Sequence, residues 1–258
     1  MKKFYVVICL TLAIISMGFI TKPDSTRTEL KKNIPLGKAK EIKTEIAFTV
    51  GELYINASSD QLSEGTYRFN IEKWRPEISY TEENQTGYLN IKTIDERTDR
   101  NYNDKDNSTW NLSLNKKVRN DLTIKILAGK GRIDLQDCNL KRLECSMAAG
   151  DININLRNTS VPDMIFKGGA GTADFDFSGK WNNDLNASIK GGVGDASLKL
   201  PSQTGVKITI HGFLGEKNTP GFRKENGSYT NAMYGKTKET LYIDVTGGIG
   251  NVTLKLVD

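Results

Sequence analysis

The sequence has few of the residues that build catalytic or metal centres. It contains one histidine, His211, and three cysteines in 258 residues. One histidine cannot build a zinc site, and Cys138 and Cys145 have no histidine near them in sequence. No serine or cysteine nucleophile stands beside His211 in sequence either. We therefore expect a protein that is not an enzyme and that uses no cofactor and no metal.

The scarcity of cysteine leaves two interpretations open. Cys9 lies inside the N-terminal apolar segment, so only Cys138 and Cys145 belong to the remaining chain. In an exported protein these two could form a disulfide bond. The other interpretation is that they are buried thiols that act as small apolar side chains.

Long apolar runs are also scarce, and residues 4–20 form the one that stands out. Lys2 and Lys3 precede it, and Ser16-Met17-Gly18 offers small residues for cleavage. This pattern predicts a signal peptide over residues 1–20. An uncleaved N-terminal anchor is the alternative, although the run is at the short limit for a membrane span. Either way we expect an exported protein of the cell envelope or the extracellular space.

Helix signals are nearly absent after residue 40, and a short phrase recurs instead. It consists of alternating apolar residues, a glycine, and apolar residues two and four positions later. The glycines are Gly131, Gly150, Gly171, Gly194, Gly215 and Gly250, with spacings of 19, 21, 23, 21 and 35 residues. A repeat of about 20 residues is typical of a coiled, repeating architecture.

The phrase has a direct physical interpretation around Gly150. Apolar residues alternate before it at Leu143, Cys145 and Met147 and after it at Ile152 and Ile154, which places one face in a core. Glycine allows a positive φ and a close backbone approach, so it marks a corner. We predict an all-β fold, a single-stranded β-helix (β-solenoid) with coils of about 20 residues and an irregular N-terminal β section.

The phrase divides the chain into sections. Residues 21–40 are polar and are predicted to be a spacer, and residues 41–117 to be an N-terminal β cap section. A detached first copy of the phrase surrounds Gly51. Residues 118–258 are predicted to be the regular solenoid, because the units of a repeat protein stack on one another and its terminal units are atypical.

One connection is longer than the others and is the candidate binding insertion. Gly215 is followed by Glu216, Lys217 and Asn218, which breaks the apolar pattern, and residues 216–240 lengthen the connection by about 14 residues over the usual spacing. Loops on a rigid scaffold often carry function. The candidate residues are Phe222, Arg223, Tyr229 and Tyr234. Irregular packing that caps the last coil is the alternative.

The glycine-rich corners do not match known ligand loops. Gly168-Gly169-Ala170-Gly171 lacks the Lys-Ser/Thr of a phosphate loop and opens no helix. Gly191-Gly192-Val193-Gly194-Asp195 lacks the nine-residue period of calcium repeats. Asp134, Asp174 and Asp176 are predicted to point outward from strands as solvated carboxylates.

Several segments resemble the bacterial toast-rack domain family, which is related to the C-terminal domain of LiaF-like cell-wall stress proteins. The resemblance lies in residues 118–131, in Gly168-Gly169-Ala170-Gly171, in residues 200–208 and in the ending from Val245 to Leu254. It implies an exported or membrane-attached single-stranded β-helix with a distinct N-terminal section. It implies no catalytic residues. The chain departs from the LiaF-like relatives because it has one apolar segment rather than a multi-span membrane region.

These observations favour an exported envelope module that binds or acts as a scaffold without catalysis. A regulator or sensor of the envelope stress response is one alternative, and a polysaccharide-acting β-helix enzyme is another. An envelope polymer or a membrane protein is the expected partner. We expect no nucleic acid partner, since no basic stripe is interleaved with aromatics, and membrane contact only through residues 1–20 if they are not cleaved.

Overall fold

The computed structural model describes residues 20–21, 27–94 and 107–258. The predicted signal peptide, apart from residue 20, and most of the polar loop before β7 lie outside these ranges. The described chain is all-β, as expected, and has one short 3-10 helix at Glu72–Trp74. In chain order the strands are β1 (Ile20–Thr21), β2 (Thr28–Ile34), β3 (Glu41–Asn56), β4 (Ser63–Phe69), β5 (Pro76–Glu83), β6 (Thr86–Thr93), β7 (Ser108–Leu114), β8 (Arg119–Asp134), β9 (Leu140–Asn155), β10 (Asp163–Ala170), β11 (Ala173–Asp176), β12 (Leu185–Lys190), β13 (Ala196–Pro201), β14 (Gly205–Gly212), β15 (Lys217–Asn218), β16 (Arg223–Glu225), β17 (Ser228–Thr230), β18 (Thr240–Gly247) and β19 (Val252–Val257).

Parallel pairing joins most of these strands into one open sheet made of stacked rungs. A rung consists of two strand segments, arm 1 and arm 2, and in six of the rungs the two arms meet at a bend glycine. In the order of pairing the rungs are β6 with β7, then β3, β8, β9, β10 with β11, β12 with β13, β18 with β19, and β14 with β15. Antiparallel strands extend both ends, with β5 on β6, β4 on β7, β2 on β4, and β17 on β14.

The order of the rungs differs from the order of the sequence at both ends. Strand β3 lies between the β6–β7 rung and β8, and the C-terminal β18–β19 rung lies between the β12–β13 and β14–β15 rungs. The copy of the phrase at Gly51 is therefore an inner rung and is not detached. The sheet is also continuous across the predicted boundary at residues 117–118, because β3 pairs with β8 over most of its length.

In the rungs that have a bend glycine, the alternation of buried and exposed residues shifts by one position at the bend. In β9 the buried residues are Leu143, Cys145 and Met147 on arm 1 and Ile152 and Ile154 on arm 2. Strict alternation would bury residue 151 instead, so the two arms bury opposite parities. The backbone turns at Gly150, where φ is +123°. This turn lets both arms direct their apolar side chains into one core.

The bend glycines lie in register and form a column through the stack. They are Gly51, Gly129, Gly150, Gly171, Gly194 and Gly250, with φ between +119° and +145°. A Cβ atom on any of them would lie 1.8–2.0 Å from a backbone carbonyl oxygen of the neighbouring rung. These positions need glycine both for its conformation and for the close approach of the next rung.

The bend positions correct the predicted corners at two places. In β8 the chain bends at Gly129, whereas Gly131 has no positive φ and faces the side chains of Ile126 and Ile152 from an inward position. Gly215 lies against the carbonyl oxygen of Gly250 at the end of the column, but it has no positive φ either. Gly150, Gly171, Gly194 and Gly250 do bend with positive φ.

The polar segment before residue 41 is not a spacer throughout. Residues 28–34 form β2, which pairs with β4 along its whole length. Its polar side chains reflect an edge strand with a partly exposed face, because burial along β2 is mostly partial. Polarity alone was therefore a poor guide to where the folded domain begins.

The core holds both remaining cysteines as free, buried thiols. Burial raises the pKa of the Cys145 thiol to about 12, and burial together with nearby Asp134 raises the pKa of the Cys138 thiol to about 12. Aromatic side chains fill the N-terminal end of the core, where Trp110 contacts Phe48 and Tyr67 edge-on. No helix among the described residues is long and apolar enough to cross a membrane.

Candidate binding face

The insertion at residues 216–240 closes the C-terminal end of the sheet. Strands β16 and β17 form a hairpin, and β17 pairs antiparallel with β14. Tyr229 is buried in the core, and Phe222 is partly buried against it. These two aromatic residues therefore have a packing role.

The other two candidate residues of the insertion lie at the surface. Arg223 belongs to edge strand β16, whose three residues are all exposed, and its guanidinium lies 3.3 Å from the Glu225 carboxylate. Charged side chains on an edge strand prevent pairing with another chain. Tyr234 is exposed, and the Lys207 ammonium lies 5.9 Å from the centre of its ring. The structure thus does not bring the four residues into one site.

Lys207 connects Tyr234 to a groove on the outer face of arm 1. Lys207 in β14 pairs in register with Tyr242 in β18, and Tyr242 pairs with Asn186 in β12. Tyr242 is 40% exposed although it stands between the buried residues Leu241 and Ile243. It is therefore an aromatic ring on the solvent side of the sheet. The groove has a volume of about 570 Å³.

The groove crosses five rungs and is lined by two columns of outward side chains, which we call the binding face. One column holds Arg142, Asp163, Asn186, Tyr242 and Lys207, and the other holds Ile165, Ser188, Asp244 and Thr209. Neighbouring rungs in a sheet are about 4.8 Å apart, so five rungs span about 20 Å. The two cationic and two anionic side chains balance one another. The face thus combines a ring surface with hydrogen-bonding groups and little net charge.

The binding face contains two carboxylates, those of Asp163 and Asp244. Asp163 and Asp244 are two rungs and two residues apart, which gives about 12 Å between Cα atoms on ideal sheet spacing. The imidazole Nε2 of His211 lies 3.9 Å from the Asp244 carboxylate on the exposed side. No group of three or more metal-ligating side chains that could hold an ion occurs in the described ranges.

Polar side chains that follow the bend glycines hold neighbouring rungs together. The hydroxyl of Thr172 donates to the carboxylate of Asp151 at 2.6 Å, and this hydrogen bond lowers the pKa of Asp151. The carboxylate of Asp195 accepts from the amide N–H of Asn251 at 2.7 Å and from its side chain at 3.0 Å. The aspartates that follow Gly150 and Gly194 therefore form hydrogen bonds between rungs.

Two of the three outward carboxylates named from the sequence also accept hydrogen bonds. Asp134 accepts from the side-chain amide of Asn155 at 2.9 Å, and Asp176 accepts from the backbone N–H of Ser178 at 2.9 Å. Asp174 lines a separate polar groove of about 440 Å³ on arm 2 together with Asp195 and Glu216.

The family follows from a comparison of the sequence with family models. Residues 22–167, more than half of the chain, match the model of the N-terminal domain of toast_rack, DUF2154. The chain belongs to this toast-rack family. The match begins between β1 and β2 and ends inside β10, so it spans the N-terminal section and the first regular rungs. No match was found among curated proteins.

Solved structures add relatives of the whole domain. A putative cell adhesion protein from Clostridium sporogenes is 28% identical over 90% of this toast-rack chain and 100% of its own, with a TM-score of 0.72. A putative adhesin from Bacteroides fragilis is 13% identical over 86% of this chain and 96% of its own, with a TM-score of 0.27. A putative adhesin from Parabacteroides distasonis is 12% identical over 89% and 98%, with a TM-score of 0.30. The last two similarities are too low to carry an argument.

Proposed function

We propose that the protein is an exported, non-catalytic binding module of the cell envelope, and that the binding face holds a polysaccharide-like envelope polymer. The observation that carries the proposal is the exposed Tyr242 ring in a groove whose charged side chains balance one another. Binding sites typically combine apolar or aromatic surface with a few polar groups that fix orientation. The cell adhesion name of the Clostridium sporogenes protein is consistent with a binding role.

The chemistry of the groove favours an extended, weakly charged polymer. Sugar rings present apolar faces that stack on tyrosine and hydroxyl groups that bond to amides, hydroxyls and carboxylates. Asn186 and Ser188 supply such groups beside Tyr242, and Asp244 lies in the next column. Because successive rungs repeat at a short, regular interval, the face offers evenly spaced contacts along a linear chain.

In this proposal each rung is one coil of a single-stranded β-solenoid, with about 20 residues per coil, and this architecture suits the binding role. Cys145 pairs with Phe166, and Phe166 with Ile189, which are 21 and 23 residues apart in sequence. A stack of this kind holds outward side chains in straight columns, because each rung is fixed by its neighbours. The apolar residues 4–20 support export of the module to the envelope.

Cosedimentation with purified cell-wall polymer from the producing cells tests the proposal. We expect the full chain to sediment with the polymer and to be released by soluble fragments of it. The Asn186→Ala variant should bind several-fold more weakly and unfold at the same temperature, since position 186 is outward. A chain that stays in the supernatant at all polymer concentrations would show that the binding face has another ligand class or none.

A further inference from the structure

An apolar ridge runs along the outer side of the bend, separate from the binding face. It consists of the residue immediately before each glycine of the column together with Leu214, which precedes Gly215, and each member is apolar: Val50, Ala128, Ala149, Ala170, Val193, Ile249 and Leu214. Pairing in register or by single bridges connects Val50 through to Ile249. The backbone N–H of Leu214 donates to the carbonyl oxygen of Gly248 at 2.9 Å, which places Leu214 beside Ile249.

The ridge becomes larger and more exposed toward the C-terminal rungs. Three alanines occupy its middle, whereas Val193, Ile249 and Leu214 are 54%, 59% and 86% exposed. Single exposed aliphatic residues are ordinary, but three on adjacent rungs form a patch on the order of 300 Å², a size that often marks an interaction site.

A row of lysines accompanies the ridge on arm 1. Lys125 and Lys167 each pair with Ser146, and Lys167 pairs directly with Lys190. Like charges on adjacent strands repel one another, so this pairing costs stability unless an anion lies nearby. The Glu45 and Glu144 carboxylates pair with Lys125 and Lys167, yet both lysine side chains remain more than half exposed.

The side of the ridge on arm 2 has anionic side chains toward the C-terminal rungs. Asp151 and Asp195 stand there, and their carboxylates accept hydrogen bonds from the next rung. Glu216 follows in the last rung. An anionic surface would therefore approach the ridge from the arm 1 side, where the lysines are.

The area of the ridge indicates the kind of partner. The patch is well below the roughly 800 Å² per partner that a stable dimer buries. A lipid bilayer needs no complementary shape, and aliphatic side chains flanked by lysines are typical of surfaces that enter its interface. We propose that Val193, Ile249 and Leu214 insert into an anionic phospholipid surface, with Lys167 and Lys190 on its headgroups.

Quenching by brominated lipids tests insertion at a chosen position in the full chain. The probe is a vesicle of phosphatidylglycerol and phosphatidylcholine whose acyl chains carry bromine. A Leu214→Trp variant should lose about threefold more fluorescence than a Leu36→Trp variant, because only the first tryptophan enters the interface. Leu36 is also exposed, at 49%, and lies outside the ridge. The apolar residues 4–20 are present in both proteins and cannot produce this difference.

Further measurements distinguish lipid insertion from the alternatives. High salt, or vesicles of phosphatidylcholine alone, should weaken quenching at position 214, because the lysines would lose their anionic partner. Equal quenching at positions 36 and 214, or none at either, would overturn the proposal. So would a dimer in the absence of lipid that the Leu214→Glu variant abolishes, since a second copy would then cover the ridge. The Asn186→Ala variant should insert normally, which separates this site from the binding face.

Discussion

Replacing one bend glycine with alanine should destabilise the protein far more than a single methyl group would suggest. In Gly171→Ala the new Cβ would lie 1.8 Å from the carbonyl oxygen of Gly150, a backbone atom that cannot move without opening the stack. The φ of +130° adds strain, because this region is almost closed to side-chain-bearing residues.

The magnitude follows from adding these effects. Backbone strain of this kind costs about 1–3 kcal/mol. Opening the neighbouring rungs weakens hydrogen bonds such as the one from the Gly171 N–H to the Val193 carbonyl oxygen at 2.8 Å, each contributing about 1 kcal/mol. We expect a loss of about 3–5 kcal/mol, which lowers Tm by about 10 °C in a chain of this size.

Alanine substitutions at two other glycines distinguish the cost of a positive φ from the cost of a steric clash. Gly227 has a φ of +79° but nothing within 4 Å of a Cβ, so Gly227→Ala should cost about 1 kcal/mol. Gly191 has open space and no positive φ, so Gly191→Ala should be neutral or slightly stabilising. Urea and thermal unfolding followed by circular dichroism measure all three. A Gly171→Ala protein as stable as Gly191→Ala would refute the account of the glycine column.

The insertion and the thiols give two further expectations. Tyr229→Ala should lower the free energy of unfolding by about 3 kcal/mol because it empties a core position, whereas Arg223→Ala should change it by less than about 0.5 kcal/mol; urea titration of both tests whether the hairpin caps the core. Cys138 and Cys145 should resist a thiol reagent at pH 8 in a Cys9→Ser background and react on unfolding, because burial raises their pKa to about 12. Because the thiols ionise more readily in the unfolded chain, the free energy of unfolding should fall as pH rises above the ordinary thiol pKa of about 8.5. Rapid labelling of the folded protein would contradict the burial of the thiols.

The bends were predictable because their signal is local. A glycine followed by inward residues at positions two, four and six is visible in the sequence around Gly150. At Gly131 the same test fails, since the sixth position is Asp137. Starting from Gly129 instead places Ile133 and Leu135 at the fourth and sixth positions and restores a spacing of 21 residues to Gly150. The mistake came from preferring an apolar second position, which the glycine at 131 occupies.

The stacking order was not predictable, because it depends on pairing between distant segments. Nothing near β3 shows that β6 and β7 lie outside it, and nothing near β18 shows that β14 does. The binding face follows from that order, since Lys207 and Tyr242 share a column only because β14 pairs with β18. The sequence does contain one sign of the site: Tyr242 occupies an outward position between Leu241 and Ile243.

Binding of the full chain to purified cell-wall polymer, compared between Tyr242→Ala and Tyr88→Ala, tests the central claim most directly. Tyr88 is matched to Tyr242, since it also lies on the outer side of arm 1 and pairs in register with a lysine, Lys43, as Tyr242 does with Lys207, but it is outside the groove. We expect Tyr242→Ala to weaken binding at least about tenfold, as loss of a central aromatic contact does, and Tyr88→Ala to bind like the parent. Equal affinities for all three proteins would contradict the assignment of the binding face.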